Sequence, residues 1–208
     1  MAPEHKRLAR YGTLSLDEIK SLPVVDCAAA VAHLYLWVPN ALLQEGLEVM
    51  KAWGFTYKGN IVWYKIRKDG GPDGRGVGFY FRNVTEIILF GVRGKNARTL
   101  SPGRSQVNII SKQKREHSRK PDEIYPIIEK CSRGPFLELF ARTKRKGWTV
   151  WGNQAPESED CFSGPTYGNA YGSGKPNGGD EKKMTGKPSG STMVKSRSPQ
   201  GRLTSGVT

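Results

Sequence analysis

Lys120 stands immediately before Pro121, Glu138 and Arg142 bracket Leu139-Phe140-Ala141, and Asn153-Gln154 follows Trp151-Gly152. A residue before proline is pushed out of the helical region, so Lys120 is extended and its side chain projects at the mouth of the helix that Pro121 opens. A cation at such a mouth, together with free N–H groups of the first helical turn, can hold a carboxylate or a phosphate. Glu138 to Arg142 ends a short apolar strand, and Asn153 with Gln154 closes another. Polar clusters at the ends of strands and helices are where an α/β fold places a small-molecule site.

A second set of residues suits a polyanion. The 208 residues carry 33 Lys and Arg against 19 Asp and Glu, a formal charge of +14. That surplus favours nucleic acid as partner. The densest basic region runs through Arg93, Lys95, Arg98, Arg104, Lys112, Lys114, Arg115, Arg119 and Lys120, opposed only by Glu116. Such a cluster positions a phosphate backbone without reading its sequence. Phe79-Tyr80-Phe81 lies beside a glycine-rich loop and could reach a base. Gly74-Arg75-Gly76-Val77-Gly78 imitates part of a dinucleotide fingerprint, but it leads into aromatics and not into a helix, so a phosphate cradle is excluded.

The elements that must position these groups alternate. Ser15-Leu16-Asp17-Glu18 is a capping box for a short helix that stops at Pro23. His33 to Val38 reads as a buried strand. Asn40 caps a helix with Leu43, Leu47 and Met50 on one face and Gly54 as its stop. Thr56 to Tyr64, Glu86 to Val92 and Val107 to Ser111 read as further strands. Pro121 opens a helix at its first position, with Asp122 and Glu123 suited to the dipole and Ile124, Ile127 and Ile128 as the apolar face. Phe136 to Phe140 and Trp148 to Trp151 are the last strands. Near-continuous apolar strands between amphipathic helices predict a mostly parallel, doubly wound α/β sheet covered on both faces. The connections Lys65 to Gly78 and Gly94 to Gln106 are long enough to be functional loops.

The stretch His117-Ser118-Arg119-Lys120-Pro121-Asp122-Glu123, followed by Glu138-Leu139-Phe140-Ala141-Arg142 and Trp151-Gly152-Asn153-Gln154, resembles one family in order and spacing. That family is the adenine-N6 methyltransferases related to the 70-kDa subunit of the messenger-RNA adenosine methyltransferase. The resemblance runs from about Tyr11 to Gln154. It implies a class I methyltransferase sheet and S-adenosylmethionine as cofactor. It places Lys120 against the cofactor's methionine end, beside the acceptor base. Glu138 and Phe140 fall at the strand and turn that face the adenosine, and Arg142 helps hold the cofactor. Asn153 and Gln154 match a pair that binds the ribose hydroxyls, for which amides suit because each offers a donor and an acceptor. Lys144 and Arg145 depart from the polar pair that relatives often carry. Arg82, Asn83 and Glu86 occupy positions near the acceptor. With Arg93, Lys95, Lys112, Lys114, Arg115 and Arg119 they form the expected nucleic-acid contact.

The family's Asp-Pro-Pro-Trp aligns the adenine amine with the sulfonium methyl, and no Asp-Pro-Pro occurs in this chain. The expectation is a methyltransferase-like domain over 1–154, incomplete at its N-terminus and without an assigned catalytic residue. A disordered Gly/Ser/Pro/Lys-rich tail is expected over 155–208. The expected function is S-adenosylmethionine-dependent methyl transfer to N6 of adenine in nucleic acid, DNA ahead of RNA. The alternative is a non-catalytic basic homologue that binds nucleic acid or supports a partner subunit. Cys27, Cys131 and Cys161 form no zinc-ligand pair and no even disulfide framework, so no metal site and a reducing cytoplasm are expected. No apolar run is long enough for a membrane-spanning helix, and Met1 to Arg10 lacks the apolar core of a signal peptide.

Overall fold

The computed structural model describes residues 14–74, 76–115, 119–152, 155 and 206–207. Helix α1 (Leu16–Ser21) starts at the expected capping box: Glu18 N–H donates to the Ser15 hydroxyl at 3.3 Å and Ser15 N–H donates to the Glu18 carboxylate at 2.7 Å. Pro23 ends that run, and a single turn, α2 (Val24–Cys27), leads into β1 (Ala32–Val38). A 3₁₀ turn, Asn40–Leu42, opens α3 (Leu43–Ala52).

The buried face of α3 is Gly46, Val49 and Met50, while Leu43 and Leu47 face solvent, which corrects the expected stripe. The reason is close approach. A Cβ on Gly46 would lie 2.6 Å from a Val38 methyl, so the helix seats its glycine on β1 and rotates its leucines outward.

Strands β2 (Thr56–Ile66) and β3 (Thr85–Arg93) follow. A 3₁₀ turn, Ser101–Ser105, precedes β4 (Ile109–Gln113), which lies slightly C-terminal to the expected strand because its pairing with β2 runs from Ile109 to Gln113. Helix α4 (Ile124–Cys131) is entered through a turn at Pro121, with Ile124 N–H donating to the Pro121 carbonyl at 3.3 Å. Strands β5 (Phe136–Leu139), β6 (Trp148–Trp151) and the short β7 (Gly206–Val207) complete the elements.

The sheet has the order β4-β2-β3-β1-β7-β5-β6. Its pairing is mixed. Strand β3 runs antiparallel to both β1 and β2, whereas β2–β4, β1–β7, β7–β5 and β5–β6 are parallel. The mostly parallel sheet expected from the sequence is corrected at β3. The β2–β3 connection contains no helix among the described residues, so the chain turns back beside β2 instead of crossing over.

Helices cover both faces. One core packs α1, α2 and α3 on the sheet through Leu22, Val24, Val49, Met50 and Trp53 against Leu34, Leu89 and Leu137. The other packs α4 through Ile124 and Ile128 against Tyr35, Trp63, Ile88 and Val150. The expected tail over 155–208 lies outside the described residues, apart from Ala155 and β7. Among the described residues no helix is long and apolar enough to cross a membrane.

Candidate active site

Parallel strands deliver their C-terminal ends to one edge of the sheet. That edge receives Trp37 from β1, Lys65 from β2 and Glu138 with Leu139 from β5, and it meets Glu86 at the start of antiparallel β3. The turn before α4 brings Lys120 and Asp122 to the same edge. A cavity of about 660 Å³ opens there, lined by Trp37, Lys120, Asp122, Tyr125, Glu138, Phe140 and Arg142 over an apolar floor that includes Leu36, Val49 and Trp53.

Charge is arranged around Glu86. Lys65 donates to its Oε1 at 2.7 Å, and Lys120 pairs with its Oε2. Both lysines also lie over indole rings, Lys65 5.0 Å from the centroid of Trp63 and Lys120 5.0 Å from that of Trp37. Burial works to raise the Glu86 pKa, but the charges and hydrogen bonds of Lys120 and Lys65 outweigh it and hold the carboxyl below the usual range. Lys120 is thus aimed into the cavity by a carboxylate on one side and a ring on the other.

Glu138 has the opposite character. Burial pushes its pKa up; the Tyr125 hydrogen bond at 2.9 Å and the nearby Arg145 charge offset only part of that rise, and Asp122 adds to it. Arg145 stacks 3.6 Å from the centroid of the Tyr125 ring, closing this corner. Phe140 follows β5 with φ 60, a left-handed conformation that turns the chain out of the sheet, and its ring meets Trp151 edge-on at 5.6 Å. Gly152 makes room for that turn, since a Cβ there would sit 2.4 Å from the Ala141 carbonyl.

Of the expected cofactor residues, Lys120, Glu138, Phe140 and Arg142 line the one cavity. Asn153 and Gln154 lie outside the described residues. The expected nucleic-acid residues divide. Arg82, Asn83 and Glu86 do not line the cavity: Glu86 pairs with Lys120 on its wall, Arg82 donates to the Gly74 carbonyl at 3.1 Å, and Asn83 accepts from Asn40 at 2.8 Å. Lys112 pairs with Glu123 at 2.9 Å and Lys114 with Asp73 at 2.6 Å, while Arg115 and Arg119 both pair with Asp122. Arg93 and Lys95 are at the far end of β3 from Glu86, and the Arg93 guanidinium donates to the Val25 carbonyl at 2.7 Å.

Sequence reasoning did not single out Trp37, Tyr125 or Asp122 as site residues. Trp37 is the penultimate residue of its strand, the position that faces a site in an α/β sheet, and that signal was available. Tyr125 meets Glu138 from another element, which no local pattern reveals, whereas Asp122 pairs with Arg119 at i,i+3 and with the nearby Arg115, a signal the sequence does carry.

Residues 2–154 match the MT-A70 family. The chain is 33% identical over 148 residues to the probable N(6)-adenosine-methyltransferase MT-A70-like of Oryza sativa subsp. japonica, covering 69% of this chain and 20% of that protein. It is 33% identical over 150 residues to the N(6)-adenosine-methyltransferase catalytic subunit METTL3 of Homo sapiens, covering 69% of this chain and 25% of that protein. To the type II methyltransferase M.MunI of Mycoplasma sp it is 27% identical over 158 residues, covering 72% of this chain and 62% of that protein. It spans about a fifth to a quarter of the length of the first two relatives. Because the match extends through every residue that meets at the cavity, fold, site and family coincide in one segment, and the chain belongs to the MT-A70 family.

Proposed function

We propose that this chain carries the cofactor-binding and acceptor-facing parts of an S-adenosylmethionine-dependent adenine-N6 methyltransferase acting on nucleic acid. The carrying observation is convergence: Lys120, from the turn before α4, and the stretch Glu138 to Arg142, at the end of β5, line one cavity at the ends of parallel strands. Its volume of about 660 Å³ suits a ligand of nucleoside size, within the general range of about 300–1,000 Å³.

The residues fit the cofactor. Lys120 is a cation for the methionine carboxylate, Glu138 an acceptor for hydroxyls, and Phe140 an aromatic wall for the adenosine. When bound, S-adenosylmethionine supplies a sulfonium methyl as the transferable group. The protein's part is positioning. Glu86 fixes the Lys120 ammonium, Trp37 offers a ring face beside it, and the apolar floor excludes water. A target base must leave any duplex to reach this cavity.

Calorimetry tests the cofactor half. S-adenosylmethionine should bind the chain, and Glu138→Ala and Lys120→Ala should each weaken it by about 1–3 kcal/mol, as for lost hydrogen bonds to charged groups. Unchanged affinity in both variants removes the assignment. Transfer of labelled methyl to single- and double-stranded DNA and RNA tests the rest, with DNA the expected acceptor. The bare chain should give little transfer, because no Asp-Pro-Pro is present to orient the amine. Robust N6-methyladenine would overturn that half.

A second reading, a homologue that supports an active partner subunit, rests on one observation. Val77, Phe79, Tyr80 and Phe81 are 97%, 92%, 86% and 90% exposed in the β2–β3 connection. Exposed apolar patches of this kind mark contact surfaces. Sedimentation of a mixture with a catalytic relative, with and without Phe79→Ser and Phe81→Ser, tests it: no association by the unaltered chain removes this reading.

A further inference from the structure

Two adjoining cavities lie at the other end of the sheet from the active site, with volumes of about 560 and 670 Å³. They share Arg98 and Arg104, and their other cations are Arg133 in one and Lys58 in the other. All these side chains are exposed. Neither lining contains an Asp or Glu. Among the described residues no ion pair reaches any of these cations. On the active-site side Lys112 and Lys114 each pair with a carboxylate and Arg115 and Arg119 share Asp122, while Arg82 donates to the Gly74 carbonyl. The chain's unspent positive charge among the described residues is therefore concentrated at the far end of the sheet.

The backbone that presents these cations is held in place. Gly94 leaves β3 at φ +84, where a Cβ would meet the Ala30 carbonyl at 2.2 Å. His33 Nε2–H donates to the Ala97 carbonyl at 3.2 Å, which leaves Nδ1 to accept from the Ser132 hydroxyl at 2.7 Å. The Tyr35 hydroxyl donates to the same Ser132 oxygen at 2.8 Å. Leu100 N–H donates to the Cys131 carbonyl at 2.8 Å, tying the loop to the end of α4. His33 and Ser132 are buried, so this small network braces the loop from inside and presents no acidic group to the cavities.

Guanidinium groups on a fixed backbone match phosphate oxygens two at a time. We propose that these cavities form a phosphodiester-docking site for a nucleic acid strand, separate from the active-site mouth. Along β1 the two ends are about 17 Å apart, taking His33 to Val38 at about 3.3 Å per residue. A strand long enough to cross that distance engages both sites. The proposal depends on a polyanionic partner and not on methyl transfer, so it stands or falls separately from the reading above.

The test uses the full chain, a labelled single-stranded oligonucleotide, no methyl donor, and fluorescence anisotropy across a salt series. Replacing Arg98, Arg104 and Arg133 together by Gln should weaken binding and reduce the slope of log K against log salt by about 2, at about 0.7 per phosphate. Lys112→Gln with Lys114→Gln should change the slope by less than about 0.7, because those lysines already have carboxylate partners. Arg98→Lys, Arg104→Lys and Arg133→Lys together should keep the slope, which separates charge from fold. An unchanged slope in the triple Gln variant overturns the proposal, and so does an equal loss in the Lys112/Lys114 variant. Loss of binding only to phosphatidylserine vesicles, with oligonucleotide binding intact, also overturns it. Should the triple Gln variant fail to fold, Arg133→Gln alone decides, with an expected slope change of about 0.7 against none.

Discussion

Lys120 and Glu86 form an ion pair across a separation of 34 residues, joining the turn before α4 to the start of β3. Lys65 occupies the other carboxylate oxygen, so one acid anchors two bases. Glu86→Ala should destabilise the chain by about 1–3 kcal/mol, nearer the lower end because Lys120 can recover water. Urea denaturation reads the loss. The sign of the pH dependence follows from a depressed pKa. Glu86 contributes stability above its ordinary value of 4.5, and that contribution disappears as pH falls through the lower folded value. The Glu86→Ala penalty should therefore be present at neutral pH and vanish in acid.

Glu138 reverses that dependence. Its folded pKa is raised above 4.5, so its protonated form is the one the fold favours. The stability it contributes is full below 4.5 and is lost as pH rises through the folded value. Glu138→Gln should gain stability relative to the unaltered chain over that window and hold a constant difference above it. Denaturation midpoints of both proteins across the pH range check this, and a difference that does not change with pH would refute it.

Phe140 holds a left-handed conformation at φ 60 without being glycine. That conformation costs an ordinary residue about 1–2 kcal/mol. Phe140→Gly removes the cost and also the edge-on contact with Trp151, worth about 0.5–1.5 kcal/mol, so its stability should stay within about 1 kcal/mol of the original. Phe140→Val combines a lost ring with a β-branched residue in the same conformation and should be the least stable of the three. Thermal midpoints give the order.

Two buried glycines separate stiff from yielding neighbours. A Cβ on Gly46 meets Val38 methyls at 2.6 and 2.9 Å, and one on Gly91 meets Met50 Sδ at 2.9 Å. Valine has little rotamer freedom, whereas methionine adapts. Gly46→Ala should cost about 1–3 kcal/mol by overpacking, and Gly91→Ala less, measured by the same urea titration.

Much of this was legible from local patterns. Strands β1, β2, β3 and β6 fall where apolar runs between breakers place them, and Ser15 caps α1 as its spacing requires. The direction of β3 was not legible, because alternation and burial carry no sign. The buried face of α3 was misread because leucines count in a periodicity and Gly46 does not. Lys120, Glu138, Phe140 and Arg142, singled out by the family resemblance, line one cavity. The distribution of charge was the harder case: Lys112 and Lys114 look free in the sequence, yet the fold sets them on Glu123 and Asp73, and Arg115 and Arg119 share Asp122. Net charge says how much positive charge exists, and only the tertiary contacts say where it is unspent.

Strands β1 and β5 are joined through very little backbone. Strand β7 pairs with His33 and Leu34 on one side and with Leu137 on the other. Cohesion across this seam falls to side chains, with Leu137, Leu139 and Trp151 sharing a core with Leu34 and Val49. The sheet thereby divides into two hydrogen-bonded units, β4-β2-β3-β1 and β5-β6, bridged by both cores, and amides beside the seam should exchange at lower free energy than those of β3. The candidate site straddles the seam, since Trp37 and Glu86 belong to one unit and Glu138 and Phe140 to the other. A ligand held by both sides acts as a rivet, and its concentration sets how often the two units part.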